Sequence, residues 1–208
     1  MPSDKPRGAR SKRSIKAEID EIKRREILAE AVRLFYENGF DTTTLESIAD
    51  ALGVTKPYIY SRFSSKMDIL AAICLLGAAP AQKTVEFSTT LGGDAPTQLA
   101  QVMEYFITLQ IAHRMEVALF FRDAHNLPPD KSREIDKSRM AFHKMLCSIL
   151  DEGKKAGDFH FDNVSLTASA LGGMASWIFT WYQPDGRWTS PVVAKSIAKL
   201  ALKTAGKS

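Results

Sequence analysis

The stretch LESIADALGVTKPYIYSRFSSK, Leu45 to Lys66, decides the fold. Leu45, Ile48, Ala49 and Leu52 share one face of a short helix, with Thr43 or Thr44 placed to cap its start and Gly53 to stop it. Thr55 then caps a second helix that holds Pro57 in its first turn, where a missing N–H costs nothing. Two short helices turning at a glycine make a helix-turn-helix. In the second helix Ile59 and Phe63, four residues apart, point back to a core, and Lys56, Pro57 and Tyr60 lie near one outer face.

Working outward, Ile22, Ile27, Ala31, Leu34 and Phe35 form a helical stripe over 18–38, closed by Gly39. Ser64 or Ser65 opens a fourth helix, which Pro80 is expected to kink or shorten. Further helices are expected near 95–112, 114–125, 130–156, 163–182 and 190–204, separated by Gly92-Gly93, the Asn126 to Pro129 turn, Gly157-Asp158 and the Pro184 to Gly186 turn. No alternating strand pattern competes, so the class is all-α. Residues 17–66 read as a three-helix domain with a helix-turn-helix and 67–208 as a larger helical domain.

Charge supports this division. Residues 1–16 hold six Lys or Arg against one acid, 17–54 hold four against nine, and 55–66 hold three against none. The remainder, 67–208, is balanced at fifteen against fourteen. The tail, rich in Pro, Gly, Ser and cations, is too polar to bury, so 1–16 is expected to be a disordered basic arm suited to phosphates. The apolar run from Ile69 to Ala81 falls short of a membrane span and contains Gly77 and Pro80, so no membrane partner is expected. No apolar secretory segment follows the basic start. Cys74 and Cys147 lie among apolar residues, as reduced, buried thiols of the cytoplasm do.

The second helix of a helix-turn-helix enters the major groove, with its early residues at base edges and flanking polar groups on phosphates. Lys56, Tyr58, Tyr60, Ser61, Arg62 and Lys66 are groups that such a helix needs, with Thr55 at its head. The competing reading is a solvated helix in a bundle; turn, cap, proline and charge asymmetry together favour DNA.

At these residues the chain resembles the TetR family of transcriptional regulators. The matching segment runs from about Ile22 to Ile69, through FYENGFDTTTLESIADALGVTKPYIYSRFSSKMDIL. The resemblance implies an all-helical homodimer that binds operator DNA as a repressor and is released by a ligand held in the C-terminal domain. By position it implies Thr44 as helix cap and phosphate contact, Lys56, Pro57, Tyr58 and Ser61 as base-facing groups, and Tyr60 and Lys66 as phosphate clamps. Glu46 departs from the neutral or basic residue often seen there. Residues 173–202, GMASWIFTWYQPDGRWTSPVVAKSIAKLAL, are similar to a subgroup that controls fatty-acid, steroid-ring and aromatic-acid degradation and commonly answers to CoA thioesters.

An enzyme is the main alternative, yet the GxGxxG, Walker A, GxSxG and HExxH signatures are absent. His143 and Cys147, four apart, are an incomplete metal or nucleophile pair, and Cys147 shares an apolar row with Leu146, Ile149 and Leu150. No catalytic residue, metal or cofactor is therefore assigned. A structural DNA-binding protein without an effector is the second alternative, and footprinting separates it. Met103, Phe106, Phe120, Phe142, Met145, Trp177 and Trp181 are adaptable or flat side chains on several helices that together could surround a small hydrophobic effector, with His113 and Arg114 near the mouth. His113 and Glu116 read as a polar pair at that cavity. Small residues at Gly172, Gly173, Ala175 and Ser176 allow close helix approach, so Leu171, Met174, Ile178, Val193, Ile197 and Leu200 are the expected dimer contacts.

Overall fold

The computed structural model describes residues 12–206. Among them the chain is all-α, with helices α1 (Lys12–Asn38), α2 (Leu45–Leu52), α3 (Lys56–Tyr60), α4 (Lys66–Ser88), α5 (Ala95–Ala112), α6 (Arg114–Asp123), α7 (Pro129–Ala156), α8 (Val164–Ser176) and α9 (Ser190–Thr204). It divides into two units that meet between Ile69 and Leu70.

In the N-terminal unit α1 starts at Lys12 rather than near Glu18. Lys12 to Lys16 of the expected disordered arm are therefore helical, and residues 1–11 lie outside the described residues. Ile27, Ala31, Leu34 and Phe35 are buried as their spacing requires, but Ile22 is exposed, because the buried stripe starts only at Ile27. Thr44 caps α2 through a reciprocal pair: its Oγ1 accepts from the Ser47 N–H at 3.0 Å, and Ser47 Oγ accepts from the Thr44 N–H at 3.0 Å. Gly53 stops α2 at φ 67°, a left-handed conformation that a side chain would strain. Ile59 and Phe63 then enter the core, where the Arg24 guanidinium lies 4.4 Å from the Phe63 ring.

Ser65 opens α4 by accepting from the Asp68 N–H at 3.1 Å. The helix is not shortened at Pro80; it continues to Ser88, with the Thr84 hydroxyl donating to the Pro80 carbonyl at 2.7 Å. By length and composition α4 could cross a membrane, but half of its apolar window is buried inside the protein, as in the core helix of a globular chain.

The C-terminal unit is built around α5, which contacts α6, α7, α8 and α9. Asp94 caps α5 by accepting from the Thr97 N–H at 2.9 Å, and Asn163 caps α8 by accepting from the Leu166 N–H at 2.9 Å. Leu99, Met103, Phe106 and Ile107 of α5 are fully or almost fully buried against Leu146, Leu150, Leu171 and Ala198. Each such large side chain contributes about 1.5–3 kcal/mol by leaving water. Two helices are shorter than their sequence pattern suggests. α6 passes into a 3-10 turn at Ala124–Asn126, and the helix expected over 163–182 ends at Ser176, followed by a 3-10 turn at Trp177–Thr180. Apolar periodicity continues through both ends, so periodicity alone does not reveal the tighter turns.

Candidate DNA-reading face and apolar cavity

The outer side of α3 carries the candidate DNA-reading residues. Lys56, Pro57, Tyr60 and Ser61 are exposed, as are Thr44 and Thr55. Thr55 sits at the cap position of α3, yet its side chain makes no capping hydrogen bond. Ser61 donates its hydroxyl to the Tyr58 carbonyl at 2.6 Å and keeps its oxygen as an acceptor. Lys56 Nζ lies 2.9 Å from Glu46 Oε2, so the cation at the head of α3 is held by the first turn of α2. That hydrogen bond and the Glu46 charge raise the Lys56 pKa.

Three sequence-assigned groups are occupied elsewhere in the unit. Lys66 donates to the carbonyls of Phe40 at 2.7 Å, Asp41 at 3.2 Å and Thr43 at 2.9 Å, and lies over the Phe40 ring. An ammonium has three N–H groups, so Lys66 is spent on fixing the α1–α2 turn rather than offered to a phosphate. Arg62 is paired with Asp20 of α1 and donates to the Ser61 carbonyl at 2.7 Å. Tyr58 is half-buried against α1, with its hydroxyl 3.4 Å from Glu26 and its ring beneath Lys23. Burial first, and then the Glu26 charge, raises the Tyr58 pKa.

Within the C-terminal unit a cavity of about 70 Å³ lies among α4, α5, α6, α7 and the end of α8. Phe106, Phe120, Phe121, Ile135 and Phe142 form apolar wall, and Gly77, Ala78 and Ala81 bring the α4 backbone close. Phe106 and Phe142 pack with centroids 4.3 Å apart. Three polar side chains complete the lining: Gln110, Arg139 and Ser176. Phe121 is half-exposed, stacks on Phe179 at 5.2 Å and meets Trp177 edge-on at 6.2 Å, so a row of rings leads from the cavity wall to the surface.

Of the expected effector contacts, Phe106, Phe120 and Phe142 line this cavity. Met103 does not; it lies wholly in the core between helices. Met145 lines a separate groove with Val85, Lys144 and Glu152. Trp177 and Trp181 are exposed, because the chain leaves the helical path at Ser176. His113 ends α5, its ring 3.6 Å from the Glu116 carboxylate, and neither this pair nor Arg114 lines the cavity. Burial alone would raise the Glu116 pKa; hydrogen bonds from His113 and the backbone, with the His113 and Arg114 charges, bring it below the ordinary carboxylate value. Gln110, Arg139 and Ser176 were missed by sequence reasoning. Gln110 had a signal: it stands four residues after Phe106 on the buried face of α5, where a polar residue is out of place.

The dimer residues divide similarly. Leu171 and Ile178 are wholly buried within the chain and belong to its own core; Val193 is buried there too, yet it also lines an open groove with Trp181 and Ile197. Met174 and Ile197 are half-buried, and Leu200 is exposed. Beside them Trp181, Trp188, Val192 and Ile197 line an open apolar groove of about 320 Å³.

Among the described residues no three His, Cys, Asp or Glu side chains gather as a metal group. His143 Nε2 lies 3.5 Å from Cys147 Sγ and 3.2 Å from Ser165 Oγ. Cys147 is half-buried rather than buried, and desolvation raises its pKa, which disfavours a thiolate nucleophile. Cys74 is buried, and burial with the nearby Asp123 charge pushes its thiol to about 12.

Residues 27–73 match the bacterial regulatory proteins of the tetR family, and residues 92–205 match the tetracyclin repressor-like C-terminal domain. The HTH-type transcriptional repressor KstR2 of Rhodococcus jostii strain RHA1 is 27% identical over 188 residues, covering 86% of this chain and 89% of the relative. The TetR family transcriptional regulator PfmR from Thermus thermophilus has a similar structure, with a TM-score of 0.78 and 28% identity over 85% of this chain and 97% of that one. AibR, solved in complex with isovaleryl coenzyme A and operator DNA, aligns with a TM-score of 0.73 at 23% identity over 86% of this chain and 97% of its own. The helix-turn-helix and the helical unit behind it are thus matched together, and the chain belongs to the TetR family of transcriptional regulators.

Proposed function

We propose that the protein is a ligand-responsive repressor that binds a near-palindromic operator as a homodimer and is released by a small hydrophobic effector, an acyl-CoA thioester. The observation that carries this reading is the aromatic cavity: three phenylalanines from three helices enclose a space beside Arg139, in a chain that also carries a helix-turn-helix. The isovaleryl coenzyme A in the AibR complex and the repressor relative KstR2 support it. A cavity of about 70 Å³ is well below the ~150 Å³ that takes up benzene, so as it stands it would hold only the tip of an acyl chain and would widen for a ring. The nucleotide end of a thioester would lie outside, with Arg139 of the lining, now paired with Asp136, as the cation for an anionic group.

Residues 17–66 would bind DNA and 67–208 the effector and the second protomer. Lys56, Pro57 and Ser61 would face base edges, with Thr44, Thr55 and Tyr60 on phosphates. Met174, Ile197 and Leu200, with the groove at Trp181 and Trp188, would meet their counterparts across a two-fold axis, which hides apolar surface that a lone protomer leaves in water. For induction the effector must favour the arrangement that does not fit DNA; a hundredfold loss of operator affinity needs about 2.7 kcal/mol of differential binding.

The test begins with operator fragments selected from the genome by the protein. Acyl-CoA thioesters and their free acids are then titrated against the complex, with calorimetry on the protein alone. The expected result is binding and DNA release by at least one thioester, and weaker binding by Phe142→Ala with operator affinity intact. If no compound binds or releases DNA, the effector reading is wrong; a monomer by light scattering at micromolar concentration would refute the dimer.

A further inference from the structure

We infer that the effector carries a hydroxyl group on the portion that enters the cavity, and that Gln110 reads it, an inference that rests on the cavity being the effector site. Gln110 is 4% exposed, yet among the described residues its Oε1 has no hydrogen-bond partner. It lines the cavity together with Phe106 and Phe120, whose rings satisfy no carboxamide; the α4 wall supplies only Gly77, Ala78 and Ala81, and the other polar lining side chains, Arg139 and Ser176, make no hydrogen bond to Oε1. Buried polar groups in native proteins are nearly always paired, and the exceptions collect where a ligand, ion or water completes them.

The chemistry of the missing partner follows from the amide. Oε1 needs a donor, while the –NH₂ of the same group offers donors and needs an acceptor. A hydroxyl does both, so it satisfies Gln110 in either orientation of the amide, whereas a keto oxygen serves only one and a methyl serves neither. Any water now on Gln110 would be displaced by a group that reproduces its hydrogen bond. A hydrocarbon of the same shape would expel that water and leave the amide bare, so the cavity selects against the analogue without the hydroxyl. The remaining rings set the rest of the specificity: a small flat or branched apolar body against the packed Phe106–Phe142 pair, and an anionic end toward Arg139, which now pairs with Asp136 at 3.1 Å.

The test uses matched pairs that differ by hydroxyl against methyl: 4-hydroxyphenylacetate with 4-methylphenylacetate, 8-hydroxyoctanoate with nonanoate, and the CoA thioesters of each. Calorimetry on the full chain should show the hydroxyl member of at least one pair binding about tenfold tighter or more. Gln110→Met, which keeps length and volume, should abolish that preference, weakening the hydroxyl member and tightening the methyl member, because no amide is left bare. Without any ligand, Gln110→Met should melt at or above the wild-type temperature, because an unsatisfied amide is replaced by an apolar side chain. A fall of several degrees would mean the amide is satisfied inside the fold and would overturn the inference. Equal binding within every pair, lost in Phe142→Ala, would also overturn it while leaving the cavity as the effector site. Binding that Phe142→Ala does not alter, or no binding at all, would refute the cavity reading and this inference with it.

Discussion

Gly77 of α4 lies against the backbone of Glu116 on α6. A Cβ at Gly77 would press on the Glu116 carbonyl oxygen and come within 2.8 Å of Phe120 Cβ. Replacing a mid-helix glycine by alanine ordinarily stabilises a helix by about 0.5–1 kcal/mol. Here the sign should reverse, because the obstacle is backbone, which cannot swing aside as a flexible side chain does. Gly77→Ala should cost about 1–3 kcal/mol. For a chain of this size each kcal/mol lowers the melting temperature by roughly 2–4 °C. A Tm equal to or above wild type would show that α4 and α6 do not cross this closely.

The same stretch of α6 should make stability pH-dependent. The Glu116 pKa is lowered in the folded chain, since the hydrogen bonds and the His113 and Arg114 charges outweigh burial. The unfolded chain therefore takes up the proton first on acidification. The contribution is fully present above the unfolded pKa, about 4.3 for a glutamate, and is lost as pH falls through the lower folded value. Urea denaturation between pH 6 and 3 should show a shallower fall in stability for Glu116→Gln than for wild type. Parallel curves would count against the His113–Glu116 arrangement.

Lys66 offers a test of structural against DNA-contacting charge. Its three donors hold the carbonyls of Phe40, Asp41 and Thr43. Lys66→Met keeps the stem over the Phe40 ring and removes all three hydrogen bonds, so it should cost about 1–3 kcal/mol in unfolding free energy. The salt dependence of DNA binding should stay unchanged under conditions where the variant is folded, because no counterion-releasing contact is lost. A shallower salt slope with wild-type stability would restore Lys66 as a phosphate clamp.

The N-terminal unit was legible in the sequence because its signals are local. Thr44, Gly53, Pro57 and the apolar spacing of Leu45 to Phe63 each act within one or two helical turns, where capping and left-handed backbone rules operate. The occupation of Arg62 by Asp20 was not legible, since it pairs residues 42 positions apart across helices. The same distance in sequence hid the cavity's polar groups. Phe106, Phe120 and Phe142 announce an aromatic wall, but Arg139 becomes a cavity residue only once α7 is packed, through its place one turn before Phe142. Apolar periodicity also cannot distinguish a residue facing its own core from one facing a second copy, which is why Ile178 and Leu200 looked alike and are not.

Glu46 restrains the cation that the helix-turn-helix would bring to DNA. The Lys56 ammonium stands 2.9 Å from its carboxylate, both side chains are about half exposed or more, and the pair joins the heads of α2 and α3. The Glu46 hydrogen bond and charge raise the Lys56 pKa, so the ammonium keeps its charge at neutral pH, and a phosphate must compete with Glu46 for it. Glu46→Gln keeps the shape and a hydrogen-bond acceptor while removing the opposing charge. It should tighten binding to random duplex DNA and steepen the plot of log affinity against log salt by about 0.9, one more counterion released. Operator affinity should rise less than affinity for random DNA, so the specificity ratio falls. Lys56→Ala should move the slope the opposite way, and in the double variant Glu46→Gln should add nothing, because the cation it frees is gone. If Glu46→Gln alone leaves both slope and ratio at wild-type values, Lys56 is not held back by Glu46, and its role in reading DNA must be sought without that carboxylate.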